Sequence, residues 1–255
     1  MLYRYLLYLL RARSAHGLHS PFVYELYTRV IRPETVHYAF AEVEQLRREM
    51  LGSDRVIDVL DLGAGPRIGQ GRRRRIRDIA RRAEKPARFG QLLFRLVNRF
   101  HPGVIFDLGT SLGITTLYLA AAGGESQVYS FEGCPETARV ARQNFGRLTA
   151  DVRLVEGNLD QTLERTTREV ERIDFAFFDA NHRYGSTMAY FETCLRKASE
   201  ESVFVFDDIH WSAEMERAWQ SIQAHPRVMI TVDLFFLGLV FFRTRQPKQH
   251  FVLRF

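Results

Sequence analysis

The chain has 255 residues, of which 46% are apolar and 26% charged, so it can bury a sizeable core and is unlike a disordered chain. It has only two cysteines, Cys134 and Cys194, which argues against a disulfide framework and against a structural zinc site. This low cysteine content is typical of proteins in a reducing cytoplasm, which is the predicted location. The formal net charge of +6 can attract phosphates, nucleic acid or membrane surfaces, but a moderate positive charge is also common among cytoplasmic enzymes.

The first ten residues are apolar and aromatic. Arg4 interrupts the run, and Arg11 and Arg13 follow it. The run is too short to span a bilayer, and it lacks the cleavage site of a signal peptide. We predict a helix that packs on the rest of the chain and is a candidate homodimer contact. A helix lying in a membrane interface is the alternative.

Two more helices are expected before residue 52. Ser20 suits an N-cap and Pro21 the first helical position of one. The other is predicted from about Tyr38 to Leu51. His16 and His19, just before Ser20, are candidate pocket residues, with packing at a helix boundary as the alternative.

The next segment combines a strand-like run with a basic stretch. Val56–Leu60 leads into a glycine-rich loop at residues 61–66, and arginines dominate residues 72–82. The loop resembles a nucleotide-binding turn but precedes Pro66 and arginines instead of an apolar helix, so we interpret it as part of the extension. The run Arg72–Arg75 is a solvated loop or a site for an anionic substrate. We predict an N-terminal helical extension over residues 1–88 and a second domain over residues 89–255.

The second domain opens with a helix from about Phe89 to Phe100, and short apolar strands then alternate with helices. The predicted strands are Val104–Leu108, Val128–Phe131, Val152–Val155, Ile173–Phe178 and Val203–Phe206. The helices are predicted to begin near Gly113, Pro135, Leu159, Tyr184 and Trp211. Apolar strands separated by helices indicate a parallel sheet covered on both faces.

The end of the chain breaks this alternation. Val228–Phe236 and Leu239–Phe242 flank Gly238 with no room for a crossover helix, so they predict an antiparallel hairpin. The fold class is therefore α/β: a doubly wound, Rossmann-like seven-stranded sheet of five parallel strands and a C-terminal antiparallel hairpin, with an N-terminal helical extension.

A glycine turn follows the first of these parallel strands. Gly109 permits a sharp turn, and Gly113 permits close approach of the backbone to a ligand. The N–H groups at the following helix start suit a carboxylate, and Thr115 could add a hydroxyl. Ser111 replaces the second glycine of the dinucleotide motif, which disfavours the alternative of a nucleotide-binding oxidoreductase.

An acidic residue ends the second strand. Glu132, followed by Gly133, can accept hydrogen bonds from both hydroxyls of a ribose. The predicted cofactor-binding residues in these two segments are Asp107, Gly109, Thr110, Ser111, Gly113, Thr115, Glu132 and Gly133.

The spacing D-x-G-x-x-x-G-x-T from Asp107 to Thr115 resembles that of the class I S-adenosylmethionine-dependent O-methyltransferases, such as the catechol and caffeoyl-CoA enzymes. The resemblance covers about residues 89–242. It implies S-adenosyl-L-methionine as cofactor and, by position, contacts from Asn158 and Leu159 to its adenine.

Carboxylates and histidines follow the fourth and fifth strands, at the sheet edge where ligands bind. In the resembled enzymes an Asp after one strand and an Asp-Asn pair after the next bind magnesium. Asp179 and Asp207 match them, and Asp208 replaces the Asn. The resemblance thus implies Mg²⁺ or another divalent cation held by these three carboxylates, which would lower the pKa of a substrate hydroxyl. The alternative is a metal-free site in which Asp207 and Asp208 cap a helix or contact substrate.

The resemblance also implies catalytic residues. His182 stands where the family has its catalytic lysine, and an imidazole can accept a proton near neutral pH. Asp179 is the second predicted catalytic residue and also belongs to the predicted cofactor site.

The predicted function is O-methylation of a small molecule. The stretch from His16 to Phe22, with Asp207 to Trp211 and Gly238 to Phe242, resembles an uncharacterised group of bacterial class I methyltransferases common in Bacteroidetes. This resemblance implies no particular substrate. A nucleic-acid (RNA) methyltransferase is the alternative, favoured only by the basic composition, because the chain has no recognisable RNA-binding module. A cofactor-binding protein without catalysis is disfavoured by the polar cluster.

Overall fold

The structure is a computed structural model that describes residues 2–33, 35–60, 72–82 and 86–255. Its α-helices are α1 (Leu2–Arg11), α2 (Pro21–Leu26), α3 (Tyr38–Gly52), α4 (Ile76–Arg82), α5 (Ala87–Phe100), α6 (Ile114–Gly123), α7 (Pro135–Arg147), α8 (Leu159–Glu169), α9 (Tyr184–Leu195) and α10 (Ala213–Ala224). Its strands are β1 (Val56–Asp58), β2 (Arg73–Arg75), β3 (Val104–Leu108), β4 (Gln127–Glu132), β5 (Val152–Glu156), β6 (Phe175–Phe178), β7 (Val203–Asp207), β8 (Ile230–Asp233), β9 (Leu237–Phe241) and β10 (Gln249–Val252). The glycine-rich loop at residues 61–66 lies outside the described residues.

The chain forms two compact units. Unit 1 comprises residues 1–34 and 171–255, and unit 2 comprises residues 35–170. The boundary predicted at residue 88 stays a prediction.

Unit 2 holds three parallel strands in the order β3, β4, β5. The residues of β3 from Ile105 to Leu108 are fully buried, because apolar side chains on both faces of a parallel strand meet covering helices. Helices α3, α5, α6 and α7 contribute to one apolar cluster that includes Phe40, Phe94, Tyr118 and Phe145. This core holds the turn after β3 against the helices that follow it.

The basic stretch of unit 2 is structured. Strand β2, which is three consecutive arginines, pairs antiparallel with β1. Helix α4 then buries Ile76 and Ile79 in one apolar cluster with Ile57 of β1. Strand β2 and helix α4 were not predicted, because three arginines show no apolar alternation and the partner of β2 lies on the other side of the loop.

Unit 1 holds five strands in the order β10, β8, β9, β7, β6. Strands β6 and β7 are parallel, and β8 and β9 form the predicted antiparallel hairpin, with β9 also antiparallel to β7. Strand β10, parallel to β8, was not predicted; it begins with the polar residues Gln249 and His250.

The N-terminal segment of unit 1 is helical, as predicted. Tyr8 of α1 is buried in a cluster with Phe235, and its hydroxyl donates to the Leu253 carbonyl at 2.5 Å. Ser20 caps α2 by accepting a hydrogen bond from the Val23 N–H at 3.4 Å. Within the described ranges, no helix has both the length and the apolar character that crossing a bilayer requires.

Candidate cofactor and metal sites

The turn after β3 is tied to the neighbouring strand β4. The N–H groups of Gly109 and Thr110 both donate to the Phe131 carbonyl, at 3.2 and 3.0 Å. Gly113 has φ +85, and a Cβ added there would lie 2.6 Å from the Phe145 ring. Only glycine therefore fits this position without strain or displacement of Phe145. Ser111 also adopts a left-handed conformation, with φ 51, which is uncommon for a residue with a side chain.

Glu132 is held by backbone groups on two sides. Its Oε2 accepts a hydrogen bond from the Ser111 N–H and its Oε1 from the Cys134 N–H, each at 2.8 Å. Burial raises the pKa of the Glu132 carboxyl, and these N–H groups oppose that shift. Each carboxylate oxygen has a second lone pair, so the fixed carboxylate can still accept from a ligand's hydroxyls.

Asp107 lies beneath the turn and is fully buried. Its Oδ2 accepts hydrogen bonds from the Thr116 hydroxyl at 2.5 Å and the Ser130 hydroxyl at 2.7 Å. Among the described residues, its Oδ1 has no hydrogen-bond partner. Burial raises the pKa of Asp107 from 3.8 to about 6, although the two hydroxyls lower it. Asp107 thus links β3 to β4 and α6 through these hydrogen bonds. Its predicted contact with a cofactor stays a prediction.

The remaining predicted cofactor residues of unit 2 vary in exposure. Thr110 and Thr115 are buried, and the Thr110 hydroxyl lies 2.6 Å from that of Ser130. Asn158 caps α8, its Oδ1 accepting from the Asp160 N–H at 2.9 Å. Gly133, Asn158 and Leu159 are partly buried, so a ligand can reach them.

Unit 1 brings two carboxylates and an imidazole together. Asp179 follows β6, Asp207 ends β7, and each of them and His182 offers one ligand atom within 4.8 Å of the others. His182 Nε2 lies 3.3 Å from Asp179 Oδ1. Of the described residues, this cluster does not include Asp208, where the backbone turns with φ 51 and the N–H donates to the Phe236 carbonyl at 2.7 Å. The structure thus groups His182, and not Asp208, with the other two predicted metal ligands.

The charges of this cluster determine the protonation of His182. Burial lowers the pKa of its imidazole, but the hydrogen bond and charge of Asp179, with the charges of Asp207 and Asp208, raise it to about 9. The imidazole therefore carries a proton at neutral pH while no other cation is bound. Two carboxylates with an imidazole fit a divalent cation: the carboxylates suit Mg²⁺ or Mn²⁺, and the imidazole is more typical of sites for transition metals.

His210, which follows the Asp207–Asp208 pair, was predicted to lie at this edge of the sheet but was given no role. Its imidazole lies between Asp233 and Glu216 and stacks on the Phe235 ring, with ring centroids 5.3 Å apart. Its contact with Asp233 was not predicted, because the two residues are distant in sequence. His16 and His19, which were candidates, are exposed.

Comparison with known proteins agrees with this architecture. A family described as a methyltransferase domain matches residues 106–209, which hold the turn, Glu132 and the Asp179–His182–Asp207 cluster. No protein of curated function matches the chain.

Solved methyltransferase structures share the fold. An O-methyltransferase from Bacillus cereus in complex with SAH is 20% identical with a TM-score of 0.58, covering 82% of this chain and 93% of that one. An SAH-bound methyltransferase from Podospora anserina is 14% identical with a TM-score of 0.60, at 89% and 97% coverage. An O-methyltransferase from Streptomyces achromogenes in complex with SAM is 18% identical with a TM-score of 0.55, at 86% and 94% coverage. The predicted α/β, Rossmann-like fold with a mostly parallel sheet and antiparallel strands is therefore confirmed.

Proposed function

We propose that this chain is an S-adenosylmethionine-dependent methyltransferase that methylates an oxygen of a small molecule with the help of a divalent cation. The observation that carries the proposal is the Glu132 carboxylate, which the Ser111 and Cys134 N–H groups fix directly beside the glycine turn. The family match over residues 106–209 and the SAH or SAM bound in the similar structures support it.

The cofactor residues belong to unit 2. Glu132 would accept hydrogen bonds from the ribose hydroxyls, and the N–H groups at the start of α6 would receive the carboxylate of the methionine moiety. Gly113 lets the turn pack closely against Phe145. Asn158 and Leu159 would flank the adenine. S-adenosylmethionine, when bound, supplies an electrophilic methyl group on a sulfonium.

The acceptor residues belong to unit 1. Asp179, His182 and Asp207 would hold the divalent cation, which when bound lowers the pKa of a hydroxyl. Because the pKa of His182 is about 9, the imidazole must lose its proton before it can either ligate the cation or accept a substrate proton at neutral pH, and its one acceptor nitrogen serves one of these roles at a time. A cation bound by Asp179 and Asp207 would lower the pKa of His182. Asp179 would be a cation ligand when His182 ligates the cation, and would orient the imidazole when His182 acts as the base. We propose the reducing cytoplasm as the location, because both cysteines are free thiols.

Calorimetric titration of the purified chain tests the cofactor assignment. We expect binding of S-adenosylmethionine and of its demethylated product, and none of NAD. Binding of NAD alone would replace the proposal with the oxidoreductase alternative. Methyl transfer to RNA, but not to small hydroxylated molecules, would instead support the nucleic-acid alternative.

A further inference from the structure

Helix α1 of unit 1 has two apolar faces. Tyr5 and Tyr8 contact the Phe235 ring on the inner face. Tyr3, Leu6 and Leu10 are 72%, 51% and 84% exposed. At 100° per residue these three lie within about 60° of one another on the helix, so they form one stripe. We call Tyr3, Leu6 and Leu10 the outer stripe of α1.

Exposed arginines lie at one end of the outer stripe. Residues 1–24 contain three arginines, of which Arg4 pairs with Glu216, and residues 234–255 contain three arginines and one lysine. Arg11, Arg13 and Arg254 are exposed, and the Arg254 N–H donates to the Arg13 carbonyl at 3.2 Å, which places these cations beside the C-terminal end of α1. Over the described part of the chain, these three arginines form no ion pair.

We propose that the outer stripe and these three arginines dock the protein on an anionic phospholipid surface. The apolar side chains would enter the interface while the guanidinium groups meet lipid phosphates, and the two contributions add. A second copy of this chain is a poorer partner, because it would place two cationic surfaces together. Nucleic acid would match the arginines but would gain little from exposed leucines. This inference goes beyond the proposed methyl transfer and does not depend on it.

Co-sedimentation with vesicles tests the proposal on the full chain. We expect the protein to bind vesicles that contain phosphatidylglycerol about tenfold or more tightly than vesicles of phosphatidylcholine alone. Replacing the outer stripe (Tyr3→Ser, Leu6→Ser and Leu10→Ser together) should remove most of this binding. Replacing Arg11, Arg13 and Arg254 by Gln should remove the preference for the anionic vesicles.

The matched control is Val36→Ser with Tyr38→Ser, because these residues are 85% and 87% exposed but lie outside α1. This control should bind vesicles like the wild type. All three variants should keep the wild-type melting temperature, because the replaced side chains are exposed; the arginine variant also tests the proposal if the stripe variant unfolds.

Three outcomes would overturn the proposal. The first is equal, weak sedimentation with both vesicle types. The second is a dimer that dissociates on replacement of the outer stripe, with no vesicle binding, which would make a second copy the occupant. The third is salt-sensitive binding to RNA without vesicle binding, which would assign the arginines to nucleic acid.

Discussion

His210 Nε2 lies 2.7 Å from Asp233 Oδ2, while its Nδ1 lies 3.4 Å from Glu216 Oε1. Arg4 of α1 completes this network: its guanidinium lies 3.0 Å from Glu216 Oε2 and donates to the His210 carbonyl at 3.3 Å. The network ties the loop after β7, which begins beside Asp207, to both β8 and α1. Its residues are far apart in sequence, so it forms only when unit 1 folds.

A double-mutant cycle measures the strength of this link. We expect His210→Ala and Asp233→Asn to be coupled by about 1–2 kcal/mol in the free energy of unfolding, because the pair is a charge-assisted, partly buried hydrogen bond. The control cycle uses His225→Ala and Glu192→Gln, whose side chains are 3.8 Å apart with Glu192 half exposed. Its coupling should be near zero. Equal coupling in both cycles would show that His210 and Asp233 interact no more strongly than a surface pair.

Asp107 should make stability fall as pH rises. Its pKa is raised from 3.8 in the unfolded chain to about 6, so the folded protein binds the extra proton between these values. Unfolding free energy should therefore drop by about 3 kcal/mol from this group as pH rises from 4 to above 6. Asp107→Asn should lack that decrease. Denaturant titrations across this range measure it, and parallel pH profiles for the two proteins would contradict the assignment.

Gly113→Ala should be strongly destabilising. The position combines φ +85 with a Cβ 2.6 Å from the Phe145 ring, so backbone strain and overpacking together should lower unfolding free energy by about 3 kcal/mol. Gly146→Ala is the control, because nothing lies within 4 Å of its added Cβ and alanine has a higher helix propensity than glycine in the last turn of α7. Thermal denaturation of both variants should show opposite shifts. A wild-type melting temperature for Gly113→Ala would refute the close approach at the turn.

Glu132→Gln should weaken binding of S-adenosylmethionine by about tenfold or more. A glutamine amide offers one acceptor oxygen, so it cannot receive both backbone N–H groups and two ribose hydroxyls. Glu136→Gln is the matched control, since Glu136 lies on the surface of α7 and pairs with Arg139. Calorimetry should show wild-type affinity for the control. Unchanged affinity in Glu132→Gln would remove the ribose contact from the proposal.

Metal titration distinguishes two sets of ligands. The structure groups Asp179, His182 and Asp207, whereas the resemblance implied Asp179, Asp207 and Asp208. We expect His182→Ala and Asp207→Asn to weaken Mn²⁺ binding by about tenfold or more, and Asp208→Asn to leave it within about threefold. Loss of binding in Asp208→Asn with retention in His182→Ala would restore the set implied by the sequence. Absence of binding in the wild type would remove the cation from the mechanism.

Local patterns in the sequence were sufficient for most elements. The bounds predicted for β3 match the structure, and α7, α8 and α9 begin at the predicted Pro135, Leu159 and Tyr184. Each of these elements is an apolar run or a helix start bounded by turn residues, which are properties of neighbouring residues. The glycine turn and the acid that ends β4 could be identified for the same reason.

Tertiary structure alone decided which distant groups meet. Strand β2 exists because three arginines pair with β1, and His210 has its ring between two carboxylates because β8 and α10 bring them there. Asp208 directly follows β7 and has a left-handed backbone conformation, with φ 51. It does not belong to the Asp179–His182–Asp207 cluster. Residue identity fixes periodicity and turn preference over a few positions, whereas the direction of a side chain depends on backbone angles that packing of the whole unit imposes.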